Sequence, residues 1–524
     1  MQENSRIIYC TSLWFYWFSY KEKIGGNLKI KNSLGKTIET KIDDRIFEPF
    51  KGGYKNSGKT KVLKNLESAL KESKIKDGTT ISFHHQLRNG DFVINKTMDA
   101  VRELGVKDIR LAQTAMFNVH EPLIDFIKDK TISRIEGSVN GAVGDFISKN
   151  NPLKAPVILR SHGGRWSAVR HGELHPNIAV IAASAADIRG NSTGIIGKSA
   201  FGNIAYSQAD AWAADKVIIV TDNLLDYPCP YREIYEGLVD YVVEVDSIGD
   251  PEKIVSGSLK ITNDPTKLRI GKHCVDLMEA AGIVKNDMIF QGGAGGISLA
   301  ALKYLGERLK EKNIVAGCST GGLTEFIVNM YKEGILKQVN TCQCFDTVAV
   351  EFVKNHLESQ STIGEYSDPT MKGRNTDRLD TVILGATEVD TNFNVNVNTH
   401  SDGRMLHGIG GHQDVSAAAN LTIITAPTYR KENPIVRELV TTISTPGDII
   451  DAIVTNEGIA INPKRKDLID KVKGKIDLVS IEELKNSAYD ATGGPQIPKL
   501  GEEIIGMTKY FDGTVLDNIY QVLD

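Results

Sequence analysis

The sequence predicts an α/β protein built from two tandem domains with largely parallel sheets. Short apolar runs rich in β-branched residues alternate along the chain with amphipathic stretches. Strands that are buried on both faces and covered by helices give this alternation. A second observation is that the chain resembles itself once, at an offset of about 200 residues. That spacing is far too long for a solenoid repeat and indicates two related domains.

The strand candidates are apolar on both faces and are bounded by polar or turn-forming residues. In chain order they are Pro156–Leu159, Ile178–Ala183, Val217–Thr221, Tyr241–Val245, Met288–Phe290, Ile314–Ala316, Val382–Leu384, Leu421–Thr425 and Ala452–Val454. Between them, leucines at helical spacing predict an amphipathic helix over residues 298–312.

The internal repeat places two aspartates at corresponding positions. Residues 207–221 resemble residues 411–425, so that Asp210 corresponds to Asp414 at an offset of 204. The similarity is weak at each position but keeps its order along the chain.

Domain boundaries follow from the same repeat. Residues 186–191 resemble residues 389–394, ahead of the two aspartates. The join between the halves falls near residues 247–264. We therefore expect a first domain at 31–250 and a second domain at 251–524.

The first 30 residues differ in composition from the rest of the chain. Residues 7–20 form a dense aromatic run of 14 residues, shorter than the roughly 18 that a membrane span needs. The run has neither a basic flank before it nor a small-residue cleavage site after it, as a signal peptide would. We expect residues 1–30 to be a non-native or flexible extension, and we expect no membrane association. An anchor at a membrane interface is the alternative interpretation.

Composition excludes several classes of protein. Lys and Arg number 62 against 66 Asp and Glu, a net charge of −4, so no basic excess points to nucleic acid. Six scattered cysteines are too few for a disulfide scaffold and favour the cytoplasm. Cys342 and Cys344 form the only close pair. Because no second pair stands at zinc-site spacing, we expect buried thiols and no metal.

A Gly-rich turn follows the strand candidate at 288–290 and opens a helix. Its glycines are Gly292, Gly293, Gly295 and Gly296. Glycines at a helix start let backbone N–H groups face an anion or a carbonyl. The turn is not a P-loop, and it lacks the last glycine of the dinucleotide fingerprint. A tight turn with close helix packing is the alternative interpretation.

A nucleophile elbow is a weaker hypothesis. Residues 317–321 fit the G-x-S-x-G pattern around Ser319, and His162 with two following glycines resembles an oxyanion motif only loosely. The tandem repeat does not suit a single hydrolase sheet, and turn geometry explains Ser319 better.

The most informative segment combines a carboxylate with a second Gly-rich turn. Glu388 stands just after an apolar strand, about 20 residues before Gly408, Gly410 and Gly411. A carboxylate can attack a thioester carbonyl and form an anhydride. Glycine N–H groups can stabilise the oxyanion that results. A solvated acid at a strand end is the alternative interpretation of Glu388.

These motifs resemble a known superfamily. Residues 388–390, 394–396 and 408–411 resemble the second domain of the CoA-transferases. From residue 31 almost to the end, about 490 residues, the chain is similar to the citrate lyase α-subunit family. Further segments that carry this resemblance are 134–141, 160–166, 186–191, 345–346 and 366–369.

The resemblance implies a fold, an activity and partners. The fold would be two domains of the CoA-transferase or ribose-phosphate-isomerase type. Acetyl-S-carrier and citrate would give citryl-S-carrier and acetate, the first step of ATP-independent citrate cleavage to oxaloacetate and acetate. A β subunit would cleave citryl-S-carrier. The γ subunit would be the acyl carrier protein with its CoA-derived prosthetic group, and this chain would bind no cofactor covalently.

The resemblance also suggests site residues. In covalent relatives the glutamate that matches Glu388 attacks the thioester, whereas in the citrate lyase group citrate's own carboxylate is described as the attacker, so the role of Glu388 is open. Citrate brings up to three negative charges and needs cationic donors. The candidates are Arg160, Arg165, Arg170 and His171, which cluster after a strand.

Three alternatives stay open. A citramalate lyase α subunit would act on an acid that carries a methyl group where citrate carries a carboxymethyl group. An acetate or 4-hydroxybutyrate CoA-transferase would share the fold. A non-catalytic ligand sensor would be expected to carry a helix-turn-helix or a basic patch, and the sequence contains neither.

Overall fold

The structure, a computed structural model, describes residues 27–31, 37–41, 59–255, 262–293 and 295–523. Of the expected extension at 1–30, only residues 27–30 fall within this part, so that expectation stays a prediction. No helix in the described ranges is both long enough and apolar enough to cross a membrane.

The described strands and helices alternate along the chain. The strands are β1 Asn27–Lys31, β2 Thr37–Lys41, β3 Val62–Leu63, β4 Thr80–Phe83, β5 Ile109–Ala115, β6 Ile132–Ser138, β7 Val157–Leu159, β8 Ile178–Ala183, β9 Ala185–Asp187, β10 Ser192–Thr193, β11 Lys216–Thr221, β12 Leu224–Leu225, β13 Tyr241–Glu244, β14 Ile289–Gly292, β15 Ala316–Leu323, β16 Leu336–Cys344, β17 Thr381–Gly385, β18 Glu388–Asp390, β19 Val395–Asn396, β20 Thr422–Thr425, β21 Tyr429–Arg430, β22 Asn433–Pro434, β23 Val436–Arg437, β24 Ala452–Val454, β25 Ile459–Ile461, β26 Leu500–Lys509 and β27 Val515–Val522. The α-helices are α1 Leu66–Glu72, α2 Val93–Glu103, α3 Leu123–Lys128, α4 Gly141–Asn150, α5 His162–Arg170, α6 Ser207–Ala213, α7 Pro251–Ile254, α8 Pro265–Ala280, α9 Gly296–Glu311, α10 Glu325–Lys332, α11 Thr347–Asn355, α12 Ile363–Ser367, α13 His412–Ser416, α14 Lys466–Val472 and α15 Ile481–Thr492.

Two mostly parallel sheets organise the chain. In the described strands the first sheet has the order β27-β26-β7-β6-β5-β4-β8-β11-β13-β3, and the second has the order β16-β15-β14-β17-β20-β24-β25. Only the edge strands β27 and β25 run antiparallel to their neighbours in these sheets. β8 and β11 are buried along nearly their whole length, as parallel strands covered on both faces are. The predicted α/β class with largely parallel sheets is confirmed.

One strand begins later than its sequence candidate, Ile314–Ala316. The N–H of Ile314 donates to the Leu309 carbonyl at 2.9 Å, so this residue still closes α9. β15 therefore starts at Ala316 and continues through residues that the apolar pattern did not include.

The internal repeat is present in three dimensions. Each half carries a small sheet with the same connections, β10-β9-β12 in the first and β19-β18-β23 in the second. Asp187 of β9 accepts hydrogen bonds from the backbone N–H groups of residues 189–191. Asp390 of β18 accepts them from Asn392 and Asn394 in the same way.

The last two strands return to the first sheet. β26 pairs in parallel with β7, where Met507 lies opposite Ile158, and β27 pairs with β26. The expected domain at 251–524 thus contributes a hairpin to the sheet of the first half. The repeat does not reveal this exchange because the pairing depends on the open edge of β7.

The carboxyl ends of the two sheets face each other. Nδ2 of Asn203 donates to the Thr341 carbonyl at 2.8 Å, and the N–H of His162 donates to the Gly410 carbonyl at 2.9 Å. Beside them lies an apolar cluster with side chains from both halves. Ligands of parallel sheets bind outside the carboxyl ends of the strands, so the two halves share the place where a site is expected.

Candidate active site

Polar side chains from both halves meet between the carboxyl ends of the two sheets. We call this set the interface cluster. Its members are His84, His85, Arg88, His162, Arg165, Tyr206, Gln291, Gln343 and Tyr366.

The histidines of the cluster come from two neighbouring regions of the first sheet. β4 ends immediately before His84 and His85, and Nδ1 of His85 lies 2.5 Å from Oγ1 of Thr114. The His85 ring stacks on the ring of His162, with centroids 5.5 Å apart and an interplanar angle of 15°. The ring of Tyr206 packs against both imidazoles, at 4.5 and 4.9 Å between centroids.

Burial fixes the protonation of these groups. It lowers the pKa of His84 and of His162 to about 4, and it lowers the pKa of His85 well below its ordinary value. It raises the pKa of the Tyr206 and Tyr366 phenols well above their ordinary value. At neutral pH the imidazoles are therefore neutral and the phenols keep their protons.

The second half supplies amides and a phenol. The Tyr366 hydroxyl donates to Oε1 of Gln291 at 2.6 Å, and Oγ1 of Thr320 donates to the same atom at 3.1 Å. Tyr206 of the first half reaches Oε1 of Gln343 at 3.5 Å. The sheet ends thus touch through side chains that can also bind a polar ligand.

Helix α5, which begins with His162, is held by Asp210 of the first half. Arg165 donates to both carboxylate oxygens of Asp210, at 2.8 and 2.9 Å, and both side chains are buried. Burial disfavours ionisation of Asp210, but the Arg165 guanidinium outweighs it and holds the pKa of that carboxyl below its ordinary value. This bidentate pair fixes the second turn of the helix.

The first turn of α5 is held by Asp414 of the second half. Oγ of Ser161 donates to Oδ1 of Asp414 at 2.6 Å, and the Gly163 N–H donates to Oδ2 at 2.9 Å. The N–H of His162 between them donates to the Gly410 carbonyl. The segment from Gly410 to α13 therefore packs against His162, whose imidazole belongs to the interface cluster.

A small cavity lies within the cluster. It is lined by Thr114, His162, Arg165, Trp166, Tyr206 and Ile363. Nearby buried polar atoms lack a hydrogen-bond partner within the described ranges, among them both ring nitrogens of His84, Nε of Arg165 and Oε1 of Gln113. Because buried polar atoms are nearly always paired, these atoms fit a small polar ligand, and the cavity of about 10 Å³ has room for about one water molecule in this conformation.

Arg88 differs from the other arginine of the cluster. Its guanidinium lies 4.8 Å from the centroid of the Phe345 ring, and its charge acts on His85 and Tyr206. In the part of the chain that the structure describes, no carboxylate lies within ion-pair distance of Arg88. The cluster therefore contains one cation whose charge no described carboxylate balances.

Glu388 is buried in β18 and is fully hydrogen-bonded. Its Oε2 accepts from Nδ2 of Asn396 at 2.9 Å and from the Thr441 N–H at 2.8 Å. Its Oε1 accepts from Arg437 and from Oγ1 of Thr441. The solvated-acid alternative is wrong because the side chain is fully buried. In this conformation neither oxygen is free to attack a thioester, and a catalytic role stays a prediction.

The second Gly-rich turn lies beside the cluster. Gly410 has a φ of +65°, and a side chain there would come within 3.8 Å of the His162 imidazole. A side chain at Gly411 would come within 3.7 Å of the Tyr366 hydroxyl, and one at Gly408 would collide with Ser138. Gly408 therefore has no room for a side chain and Gly410 has a backbone conformation that favours glycine, whereas Gly411 has room for a Cβ. The role of the three glycines as oxyanion donors stays a prediction.

The first Gly-rich turn serves packing at its first two positions. A side chain at Gly292 would collide with Leu302, and the Gly293 N–H donates to the Ile383 carbonyl at 2.8 Å. At Gly295 the space is open, and at Gly296, where α9 begins, a side chain would meet Thr262 at an ordinary contact distance of 3.7 Å. The N–H groups of Gly295 and Gly296 lie at the start of α9, and the role of the turn in binding a ligand stays a prediction.

Of the four expected citrate-binding cations, only Arg165 lines the cavity. Arg160 pairs with Glu136 and Glu173, at 2.7 Å each. Arg170 lies 5.1 Å from the ring of exposed Trp212, and Nδ1 of His171 lies 2.9 Å from the Ser167 carbonyl. These three cations already have partners on the protein, and their role in binding citrate stays a prediction.

Two other sequence hypotheses can be placed. Ser319 lies inside β15 instead of on a strand-to-helix turn, so a nucleophile elbow is wrong. Cys342 and Cys344 are free and buried in β16, as expected. The described residues contain no cluster of metal-ligating side chains.

Comparison with known proteins identifies the family. The family model described as citrate lyase, alpha subunit (CitF), matches residues 59–522. The citrate lyase alpha chain of Haemophilus influenzae is 39% identical over 469 residues, which cover 88% of this chain and 93% of that protein. The chain belongs to the citrate lyase α-subunit family.

Solved structures agree with this family assignment. A crystal structure from Streptococcus mutans, described as an α subunit of citrate lyase in complex with citrate, matches with a TM-score of 0.87 and 38% identity, covering 89% of this chain and 92% of that one. A 4-hydroxybutyrate CoA-transferase from Porphyromonas gingivalis matches with a TM-score of 0.53 at 16% identity, covering 82% of this chain and 95% of that one. The second likeness shows the fold alone and confirms the expected CoA-transferase type.

Several residues of the site in this citrate lyase α-subunit homologue are not found by sequence patterns. His84 and His85 directly follow the apolar run of β4, which was a usable signal. Arg88 and Tyr206 stand in no recognisable motif. They meet only because the loops after β4 and before α6 converge on the second half.

Proposed function

We propose that this chain carries out the first step of citrate cleavage, transfer of an acyl carrier thioester from acetate to citrate. Acetyl-S-carrier and citrate give citryl-S-carrier and acetate. In this proposal a γ subunit supplies the carrier with its CoA-derived prosthetic group, and a β subunit cleaves the product. The five described cysteines are free and buried, which supports a reducing cytoplasmic location.

The observation that carries this proposal is the unbalanced charge of Arg88 among neutral donors. A citrate carboxylate at this guanidinium would supply the missing partner in a charge-assisted, bidentate pair. Arg165 cannot take the same role without giving up Asp210. In this proposal neutral His162, whose ring stacks on His85, binds a second carboxylate of the same citrate.

The chemistry needs no protein nucleophile. One carboxylate of bound citrate attacks the acetyl thioester carbonyl, and collapse of the tetrahedral intermediate releases the carrier thiolate and leaves a mixed anhydride. The thiolate then attacks the citryl carbonyl of the anhydride and releases acetate. Each tetrahedral oxyanion needs N–H or O–H donors. In this proposal the donors come from the Gly410–Gly411 segment, His162 and Tyr366, which lie close to one another.

The decisive experiment compares citrate and citramalate as acceptors, with acetyl-CoA as the surrogate donor, in wild type and Arg88→Gln. We expect citrate to be the better acceptor. We expect Arg88→Gln to raise KM for citrate about 10- to 100-fold, the loss expected for a hydrogen bond to a charged group. Arg88→Lys keeps the charge but loses the two-pronged hydrogen bonding of the guanidinium. Its KM for citrate should lie between those of wild type and Arg88→Gln.

Arg404→Gln is the matched control because Arg404 pairs with Asp145 and Asp402 outside the cluster. It should leave KM for citrate unchanged. An unchanged KM in Arg88→Gln would refute the placement of citrate at the cluster. A preference for citramalate over citrate would show that citramalate is the substrate.

A further inference from the structure

We propose that Asp414 is a positioning residue for the transfer reaction: its carboxylate fixes the first turn of α5 and thereby the imidazole of His162. The inference rests on the proposed function, because the interface cluster is taken as the place of transfer. Asp414 itself touches no cavity-lining side chain by hydrogen bond. It acts through the two residues that flank His162.

Three hydrogen bonds across the two halves hold this turn. Asp414 accepts from Ser161 Oγ at 2.6 Å and from the Gly163 N–H at 2.9 Å, and the His162 N–H donates to the Gly410 carbonyl at 2.9 Å. A side chain at Gly163 would lie 2.1 Å from the Ser367 carbonyl oxygen. The turn is therefore packed too closely to shift without breaking these bonds.

The surroundings of Asp414 leave its charge without a bonded cation. Its side chain is 2% exposed, and no lysine or arginine of the described residues lies within ion-pair distance of it. Burial is the main effect and raises the pKa of Asp414 to about 6, against the bonds from Gly163 and Ser161. The titratable groups that face it from neighbouring elements are Arg374, Asp368, Cys342, Tyr206, Tyr366, Tyr510 and His162.

Protonation of Asp414 changes what the first turn can do. As a carboxylate, Asp414 accepts from Ser161 through one oxygen and from Gly163 through the other. As a neutral acid, it carries a proton on one oxygen and cannot serve both donors equally well. The Asp210–Arg165 pair still holds the second turn, so the helix stays in place and only the residues around His162 loosen.

The test is the pH profile of kcat for citrate with acetyl-CoA in the full chain. Wild type should lose activity as the pH falls through about 6. Asp414→Asn, which is neutral at every pH, should be about tenfold slower at pH 7.5 and should lack this acid limb. Ser161→Ala removes a bond that favours the ionised form, so its limb should move to higher pH by about one unit.

Two comparisons separate this role from a structural one. Citrate's own ionisation is the same for every variant, so it cannot move the limb. Asp210 contacts the same helix, so Asp210→Asn should lower the thermal midpoint of unfolding. The acid limb of its kcat profile should stay near pH 6. An acid limb at the wild-type pH in both Asp414→Asn and Ser161→Ala would overturn the proposal.

A second readout keeps the proposal apart from the proposed function. Trp166 lies in α5 and lines the same cavity as His162. Its fluorescence should change with pH near 6 in wild type and should stay constant in Asp414→Asn. Absence of any citrate transfer in wild type would refute the function, and the fluorescence titration would still decide the role of Asp414. No fluorescence change in wild type would overturn it.

Discussion

Asp210 and Asp414 occupy corresponding positions in the two halves of the chain, and both hold helix α5. Asp210 does so through a bidentate ion pair with Arg165. Asp414 does so through a hydroxyl and a backbone N–H, without a bonded cation among the described residues. The repeat has kept the position of the carboxylate and changed its partner.

The difference gives the two aspartates opposite electrostatic behaviour. The cation beside Asp210 holds its pKa below the ordinary value, whereas burial raises the pKa of Asp414 to about 6. One attachment of α5 is therefore independent of pH near neutrality, and the other titrates there. The ion pair of Asp210 therefore holds α5 in place at every pH near neutrality, while the protonation of Asp414 changes the hydrogen bonds around His162.

The largest expected effect comes from breaking the ion pair. Asp210→Asn leaves the Arg165 guanidinium buried without a counter-charge, and removal of one partner of a buried pair costs about 3–5 kcal/mol. The free energy of unfolding from urea titration at pH 7 should fall by that amount. Combining it with Arg165→Met, which removes the stranded charge, should recover part of the loss. A double variant that is less stable than Asp210→Asn would show that the charge is not the cause.

A smaller effect is expected at Asp414, where the contribution to stability falls with rising pH instead of with falling pH. Its folded pKa lies above the unfolded value near 3.8, so the folded form binds the proton more tightly. The stability that it contributes is present below the unfolded pKa and is lost as pH rises through about 6. The difference between the folded and unfolded pKa corresponds to a change in unfolding free energy on the order of 3 kcal/mol.

Asp414→Asn should remove that pH dependence. The difference in unfolding free energy between wild type and Asp414→Asn should change in favour of the variant between pH 4 and pH 7. For Asp210, whose pKa is lowered, the contribution has the reverse sign and is lost only as pH falls through its folded pKa. A wild-type and Asp414→Asn pair with parallel stability profiles over this range would contradict the contrast between the two aspartates.

The sequence predicted those features that depend on local pattern or on the repeat. Apolar runs located the parallel strands, and the offset of 204 paired Asp210 with Asp414 before their shared helix was known. It did not predict that the hairpin of β26 and β27 extends the first sheet, because open edges are not visible in a pattern.

The candidate site was harder to predict because charges find partners in three dimensions. Arg160 stands in a promising basic segment, yet Glu136 and Glu173 bind it. Arg88 begins a short 3-10 helix without a recognisable motif, yet tertiary packing leaves it without a carboxylate partner among the described residues. The resemblance suggested a catalytic role for Glu388, yet Arg437 and three hydrogen bonds occupy its oxygens.

The most direct test of the account is a crystal structure of this chain with citrate bound. We expect one citrate carboxylate within about 3 Å of the Arg88 guanidinium, and another within reach of His162 on the first turn of α5. The Asp414 bonds to Ser161 and Gly163 should be intact in that complex. Citrate bound at Arg160, Arg170 and His171, with Arg88 and His162 free of ligand, would contradict the placement of the active site between the two halves.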